Sequence, residues 1–326
     1  MDVAGFIVGD RVISQSFSTH PDWNAGFGRY HGFSFVGASA IGKKHLKEGK
    51  GREDCFLIRS KGEWLLFLLA DGVGSAPLGA WGASLAVNFF AEEFLRGLPA
   101  GRCKEDASLK EREKRWRGYG AKLAPPLSFA GVGTLSFYRK RETLADNAPF
   151  PEEEPLEGLF LALEQTHNFL LASARRENHA PQDLSTTLLG LLLDTFSGKG
   201  LAFQIGDGLI LGVSGDECFP LLEVGDFEVG ETAVLTQENW REWCRFGFFV
   251  WEERKLEAVF LMTDGVADDC LYAPPEDITS RFGKDLLREL KRFPDEETVS
   301  RRLLFWLSEY RAPSSFDDRT LVAVYR

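Results

Sequence analysis

Three times this chain runs through a short apolar stretch and ends it on Asp-Gly. Leu65-Leu66-Phe67-Leu68-Leu69-Ala70 leads into Asp71-Gly72, and Leu201-Ala202-Phe203-Gln204-Ile205-Gly206 into Asp207-Gly208. The third run, Ala258-Val259-Phe260-Leu261-Met262-Thr263, leads into Asp264-Gly265. Apolar runs of this length bounded by Gly predict buried strands followed by tight turns. Each Asp then stands where a core strand reaches the surface, which is where sites are built. Two acidic pairs lead into strands instead: Glu53-Asp54 before Cys55-Phe56-Leu57-Ile58, and Asp317-Asp318 just before Thr320-Leu321-Val322-Ala323-Val324-Tyr325. Carboxylates gathered at strand ends repel one another unless positive charge lies between them. A hard divalent cation with oxygen ligands supplies that charge most simply.

Fully apolar strands need cover on both faces. Further strands are predicted at Phe33–Ala40, Cys55–Arg59, Leu209–Val213 and Leu321–Tyr325, with a hairpin from Thr186–Asp194 to Leu201–Ile205 through Ser197-Gly198-Lys199-Gly200. Helical spacing covers Leu78–Leu95, Leu156–Arg176, Ile278–Phe293 and Pro294–Tyr310. Ile41–Arg52, rich in Gly and Lys, reads as a loop, and residues 1–30 as an edge strand or a lid. Strands come in runs with helices grouped between them, which points to an α+β fold. The expected architecture is a four-layer α-β-β-α sandwich of two antiparallel sheets flanked by helices. A single domain over residues 1–326 accommodates this. Residues 97–155 are charged and rich in Pro and Gly and read as an insertion, with a short strand near Gly133–Tyr138.

The net charge of −11 leaves no basic stripe for a phosphate backbone, so no nucleic-acid partner is expected. No apolar run reaches the length of a membrane span, and the N-terminus lacks a basic segment followed by an apolar one. No membrane association is expected, and a cytoplasmic location is. The five cysteines, odd in number and without a C-x-x-C pair, fit reduced thiols better than disulfides or a zinc site.

Taken together and in order, the acidic positions resemble those of the metal-dependent PPM/PP2C-type serine/threonine phosphatases, in particular the bacterial branch. The matching fragments are Gly51-Arg52-Glu53-Asp54, Leu69-Ala70-Asp71-Gly72-Val73-Gly74, Leu184-Ser185-Thr186-Thr187, Ile205-Gly206-Asp207-Gly208, Met262-Thr263-Asp264-Gly265-Val266 and Asp317-Asp318-Arg319-Thr320. The resemblance runs from about Phe33 to the C-terminus, outside the insertion. It implies a phosphoprotein substrate, a cognate serine/threonine kinase in the cell, and two Mn²⁺ or Mg²⁺ ions, with room for a third. Phosphoserine and phosphothreonine would be hydrolysed by a water bridging the two ions, with no phospho-enzyme.

The resemblance also implies roles. Asp71 matches the carboxylate that bridges the ions, the Gly72 carbonyl a ligand to the first, and Asp264 and Asp317 ligands to the second. Asp317 is preferred to Asp318 because the family's Asp stands three residues before the Thr. Glu53 and Asp54 match the acidic pair that holds metal-bound water. Asp268 and Asp183 are candidates for the third ion, and Asp207 is expected to order a hairpin beneath the site. The chain departs from the family at the phosphate-binding cation. Gly49 occupies the place of the usual Arg, four residues before Glu53, and His45 upstream is the candidate to bind phosphate or act as a general acid, with Lys50 and Arg52 as rivals. This departure keeps open an alternative, a catalytically weak or inactive phosphatase-like module that binds phosphoproteins.

Overall fold

The computed structural model describes residues 6–8, 11–13, 22–98, 153–215, 217–223, 232–271, 277–309 and 316–326. Two antiparallel sheets make up the centre of the molecule. One has six strands: β3 (Trp23–Tyr30), β4 (Phe33–Ala40), β9 (Leu209–Ser214), β10 (Glu217–Pro220), β12 (Ala258–Met262) and β13 (Arg319–Tyr325), in the order β10-β9-β12-β13-β4-β3. The other has five: β5 (Cys55–Lys61), β6 (Trp64–Ala70), β7 (Leu188–Asp194), β8 (Lys199–Ile205) and β11 (Arg245–Val250), in the order β11-β8-β7-β6-β5. A separate two-stranded ribbon pairs β1 (Phe6–Val8) with β2 (Arg11–Ile13).

Strand alternation sorts the apolar side chains into three buried cores. Phe56, Phe67, Leu69 and Leu191 of the five-stranded sheet meet Phe35, Leu261, Val322 and Val324 of the six-stranded sheet between the layers. The outer face of the five-stranded sheet, with Leu57, Leu66, Leu68 and Phe203, packs on helices α2 (Gly79–Gly97) and α3 (Glu153–Arg176). The outer face of the six-stranded sheet, with Val36, Leu211, Phe260 and Ala323, is covered by α5 (Asp264–Leu271), α6 (Asp277–Lys291) and α7 (Glu296–Glu309). The fold is the α-β-β-α sandwich the strand pattern predicts. The two faces of each sheet explain why its strands are apolar throughout.

Several elements differ from the sequence expectation. Trp23–Tyr30 forms an edge strand, the first of the two forms expected for residues 1–30. Lys43–Glu48, expected as loop, is the short helix α1, because five good helix formers and His45 stand between Gly42 and Gly49. A run that short shows no apolar period. β10 and β11 are edge strands with mixed, half-exposed patterns, and α4 (Trp240–Trp243) is a single turn, so none carries a clear periodic signal. Asp264-Gly265 opens α5 instead of making a tight turn: the Thr263 carbonyl accepts from the Val266 and Ala267 N–H groups at 3.0 and 2.9 Å. Most of the expected insertion, with the strand near Gly133–Tyr138, lies outside the described residues. No disulfide joins the described cysteines Cys55, Cys218 and Cys244. Among the described residues, no helix is long and apolar enough to cross a membrane.

Phe67 is fully buried between the sheets, with its ring edge-on to Phe35 at 5.8 Å. Phe67→Ala is expected to cost about 3–5 kcal/mol of unfolding free energy by removing that contact and leaving a cavity. Urea denaturation checks this, and a loss under about 1 kcal/mol would mean that the sheets repack around the gap.

Candidate active site

The Asp-Gly ends of β6 and β12, the β8–β9 turn and the acidic entries to β5 and β13 converge at one end of the sandwich. Asp71 is fixed through its backbone. Its N–H donates to Thr187 Oγ1 at 2.9 Å, and its carbonyl accepts from Thr186 Oγ1 at 2.8 Å and the Thr187 N–H at 2.9 Å. The Leu-Ser-Thr-Thr segment is thus the clamp that holds the Asp71-Gly72 loop, leaving the Asp71 carboxylate for the site. Gly72 lies against the start of α2 so closely that a β-carbon would sit 2.3 Å from the Gly79 carbonyl carbon. Only glycine fits there.

Asp54 lies at the base of the site and is 1% exposed. Its Oδ2 accepts from Thr263 Oγ1 at 2.8 Å and Thr320 Oγ1 at 2.6 Å. Thr320 in turn meets Ser39 Oγ at 2.6 Å, which accepts from the Arg52 guanidinium at 2.6 Å. Arg52 is 0% exposed and also donates to the Asp54 carbonyl. It faces the interior and has no access to a ligand in the site.

Asp317 and Asp318, adjacent in sequence, have different environments. The buried Asp318 carboxylate accepts from the Gly42 N–H at 2.6 Å and the Glu53 N–H at 2.5 Å, so it ties α1 and β5 to the last strand. Asp317 keeps a side chain that is 39% exposed and turned toward the acids. The chain at Phe316 and Asp317 presses on Gly42, where a β-carbon would lie 2.3 Å from the Asp317 carbonyl carbon.

The His45 ring, 1% exposed, is enclosed by three carboxylates: Asp318 at 3.1 Å from Nδ1, and Asp317 at 3.6 Å and Glu53 at 3.7 Å from Nε2. Donation from the ring to the Asp318 carboxylate raises its pKa to about 9 against the opposing effect of burial, so the ring is a buried cation. His45, Asp317 and Asp318 bring ligand-type atoms within 4.8 Å of one another. Asp318 is already saturated by backbone N–H groups, so this trio is an ion-pair cluster.

The acids themselves are crowded. Asp71 and Asp264 keep an exposed edge, yet desolvation of their carboxyls, followed by mutual repulsion with Asp54 and Asp317, drives both well above the ordinary carboxylate range. Burial lifts Asp54 to about 7, against the Thr320 and Thr263 hydrogen bonds, and lifts Glu53 to about 7, against the pull of His45 and Lys50. Asp54 Oδ1 and Glu53 Oε2 are buried with no hydrogen-bond partner. An all-oxygen set of crowded carboxylates with orphaned oxygens fits hard divalent cations and their waters.

The structure brings Asp54, Asp71, Asp264, Asp317 and Asp268 into mutual electrostatic contact, with Glu53 and His45 alongside. Asp268 presses on Asp264. Asp183 does not join them through any such interaction: its carboxylate accepts from the Ala180 N–H at 3.1 Å and faces His179 at 3.5 Å. Asp207, expected only to order the hairpin, is the charge that most strongly raises Asp264, so it faces the cluster. The signal was present in the sequence, since Asp207-Gly208 repeats the pattern of the other two Asp-Gly pairs.

A model of the family "Protein phosphatase 2C" matches residues 41–308. No curated protein sequence is matched. Among solved structures, the chain is similar to the catalytic domain of the serine/threonine protein phosphatase PstP in complex with two manganese ions, at 16% identity over 90% of this chain and 97% of that one, with a TM-score of 0.52. PstP/Ppp of Mycobacterium tuberculosis matches at 15% identity over 90% and 98%, also at 0.52. The serine/threonine phosphatase of S. agalactiae matches at 12% identity over 90% and 99%, again at 0.52. Identities this low establish the shared fold.

Every large shift in the site has the same sign for stability. Raised carboxyls bind protons more tightly folded than unfolded. Their contribution is therefore present at low pH and is lost as pH climbs from the ordinary values, 3.8 for Asp54 and 4.5 for Glu53, through about 7. His45 acts likewise, its contribution fading as pH rises through about 9. The unfolding temperature of chelator-treated protein is expected to fall between about pH 5 and about pH 9, and Mn²⁺ to raise it more at the alkaline end. A flat profile in thermal melts would show that the acids are not crowded in solution.

Proposed function

The chain belongs to the protein phosphatase 2C family, and from that premise we propose that it hydrolyses phosphoserine and phosphothreonine in proteins with the help of two Mn²⁺ or Mg²⁺ ions. The observation that carries the reading is the cluster of desolvated carboxylates where strands of both sheets end, which needs bound cations to be stable when ionised. Asp71, Asp264, Asp317 and the Gly72 carbonyl would hold the ions. Divalent ions there supply a positive field that makes water nucleophilic near neutral pH and offsets charge on the phosphoryl oxygens.

The chain's own residues do the rest. Thr186 and Thr187 fix the Asp71 backbone, and Thr263 and Thr320 hold the Asp54 carboxylate, so Asp54 does not have to reorganise during reaction. Glu53 Oε2 and Asp54 Oδ1, neither of which accepts a hydrogen bond within the protein, can accept hydrogen bonds from water and orient it for in-line attack. Burial lifts the Glu53 carboxyl to about 7 before any ion binds, and bound cations would favour its ionised form. His45 serves as a positioning residue that holds Glu53, Asp317 and Asp318 together from below. A third ion would rest on Asp268 beside Asp264, and Asp183, turned to its own turn, would contribute little. A serine/threonine kinase would supply the substrate, and a cytoplasmic setting suits the thiols.

Gly49 favours a second reading, in which the chain binds a phosphoprotein and turns it over slowly or not at all. Hydrolysis of para-nitrophenyl phosphate separates the two. Turnover is expected to require Mn²⁺, to drop at least about 10³-fold in Asp71→Ala, and to stay within about threefold in Asp183→Ala. Full activity in Asp71→Ala would remove the proposed site. Metal-dependent binding of a phosphopeptide without turnover by the parent protein would favour the second reading.

A further inference from the structure

We infer that Lys44, assisted by Lys50, is the positive charge that receives the phosphoryl group in this chain, an inference that rests on the phosphatase reading above. Two other cations are ruled out by position, and none can stand at residue 49. Gly49 ends α1 with a φ of +69°, a left-handed conformation that strains any residue bearing a β-carbon. Arg52 has its guanidinium committed to Ser39 and the Asp54 carbonyl in the interior. The ring of His45 is shut off behind three carboxylates.

Lys44 is exposed and spans two of the loops that carry site acids. Its N–H donates to the Phe316 carbonyl at 3.0 Å, which fixes its backbone to the segment bearing Asp317. Its Nζ reaches across to Gly74 on the Asp71-Gly72 loop. There it lies 3.8 Å from where a β-carbon of Gly74 would stand, and Glu53 Oε2 lies 3.7 Å from the same point. Among the described residues, no carboxylate comes within ion-pairing distance of Lys44, so its three N–H donors are available to a ligand. Lys50 approaches the same loop, with Nζ 3.5 Å from the Gly74 carbonyl, but it is shared with Glu48 at 3.2 Å. An ammonium on a flexible stem over Glu53 fits a phosphoryl dianion as a point charge. The bidentate grip of an arginine is lost, and a single strong contact takes its place.

Calorimetric titration of inorganic phosphate into Mn²⁺-loaded protein tests this without relying on turnover. Lys44→Ala is expected to weaken phosphate about tenfold and Lys50→Ala about two- to threefold, with Lys44→Arg close to the parent. Mn²⁺ affinity and unfolding temperature should stay at parent values in all three. Phosphate affinity in Lys44→Ala within twofold of the parent would overturn the inference and leave the phosphatase reading standing. So would a matching loss of Mn²⁺ affinity, because it would make Lys44 a support for the metal site. A parent protein that binds Mn²⁺ but no phosphate would overturn both.

Discussion

Like-charge repulsion among carboxylates at converging strand ends is the constraint around which the molecule is organised. Asp54 and Asp317 press on both Asp71 and Asp264, and each of the four stands on a different strand or strand-adjacent loop. Left alone, such a cluster would push the strand ends apart. Packing opposes it: all four strands are anchored in the apolar layer between the sheets, so their ends cannot separate without opening that layer. Most of the fold's stability lies below the site, and the site's chemistry depends on that margin.

Two buried cations and one buried anion turn this tension into a fixed geometry. Arg52 lies beneath Asp54 and reaches it through Ser39 and Thr320, while His45 stands between Asp317, Asp318 and Glu53. Asp318 accepts backbone N–H groups from Gly42 and Glu53, so the short helix, the fifth strand and the last strand share one hydrogen-bond centre. A buried charge satisfied from several sides holds its neighbours in one arrangement, and removing one partner leaves the others uncompensated. The division of labour between Asp317 and Asp318 follows. One carboxylate is consumed by structure, and its neighbour is free to face the site.

Much of this was legible in the sequence. The three apolar runs ending in Asp-Gly locate β6, β8 and β12, and apolar strands without polar faces imply the layered sandwich. The edge strands β10 and β11 were not legible, because they bury only part of their surface and so lose the apolar pattern. Among the site residues, sequence separates acids from non-acids but not what each carboxylate touches. Asp207 and Asp183 look alike as loop acids, yet one presses on Asp264 and the other caps its own turn. Arg52 stands beside the acidic pair as a phosphate ligand would, and only the strand direction shows that it points inward. Pairings between residues hundreds of positions apart, such as Asp54 with Thr320, leave no local trace.

The contrast between Arg52 and Lys44 shows how a rigid centre coexists with an adaptable rim. The centre is held by close approach: a β-carbon on Gly72 or Gly42 would collide with backbone, and the Asp54 network leaves no slack. The rim is built from α1, six residues between two glycines, and from the exposed loop at Gly74. Changes at its exposed positions, Lys44 and Lys50, alter which cation faces the site and leave the His45 contacts with the acids in place. Where the family's arginine would stand, this chain places the glycine that closes α1. α1 carries Lys44 toward Gly74, and the turn at Gly49 sets Lys50, just beyond the helix, against the same loop.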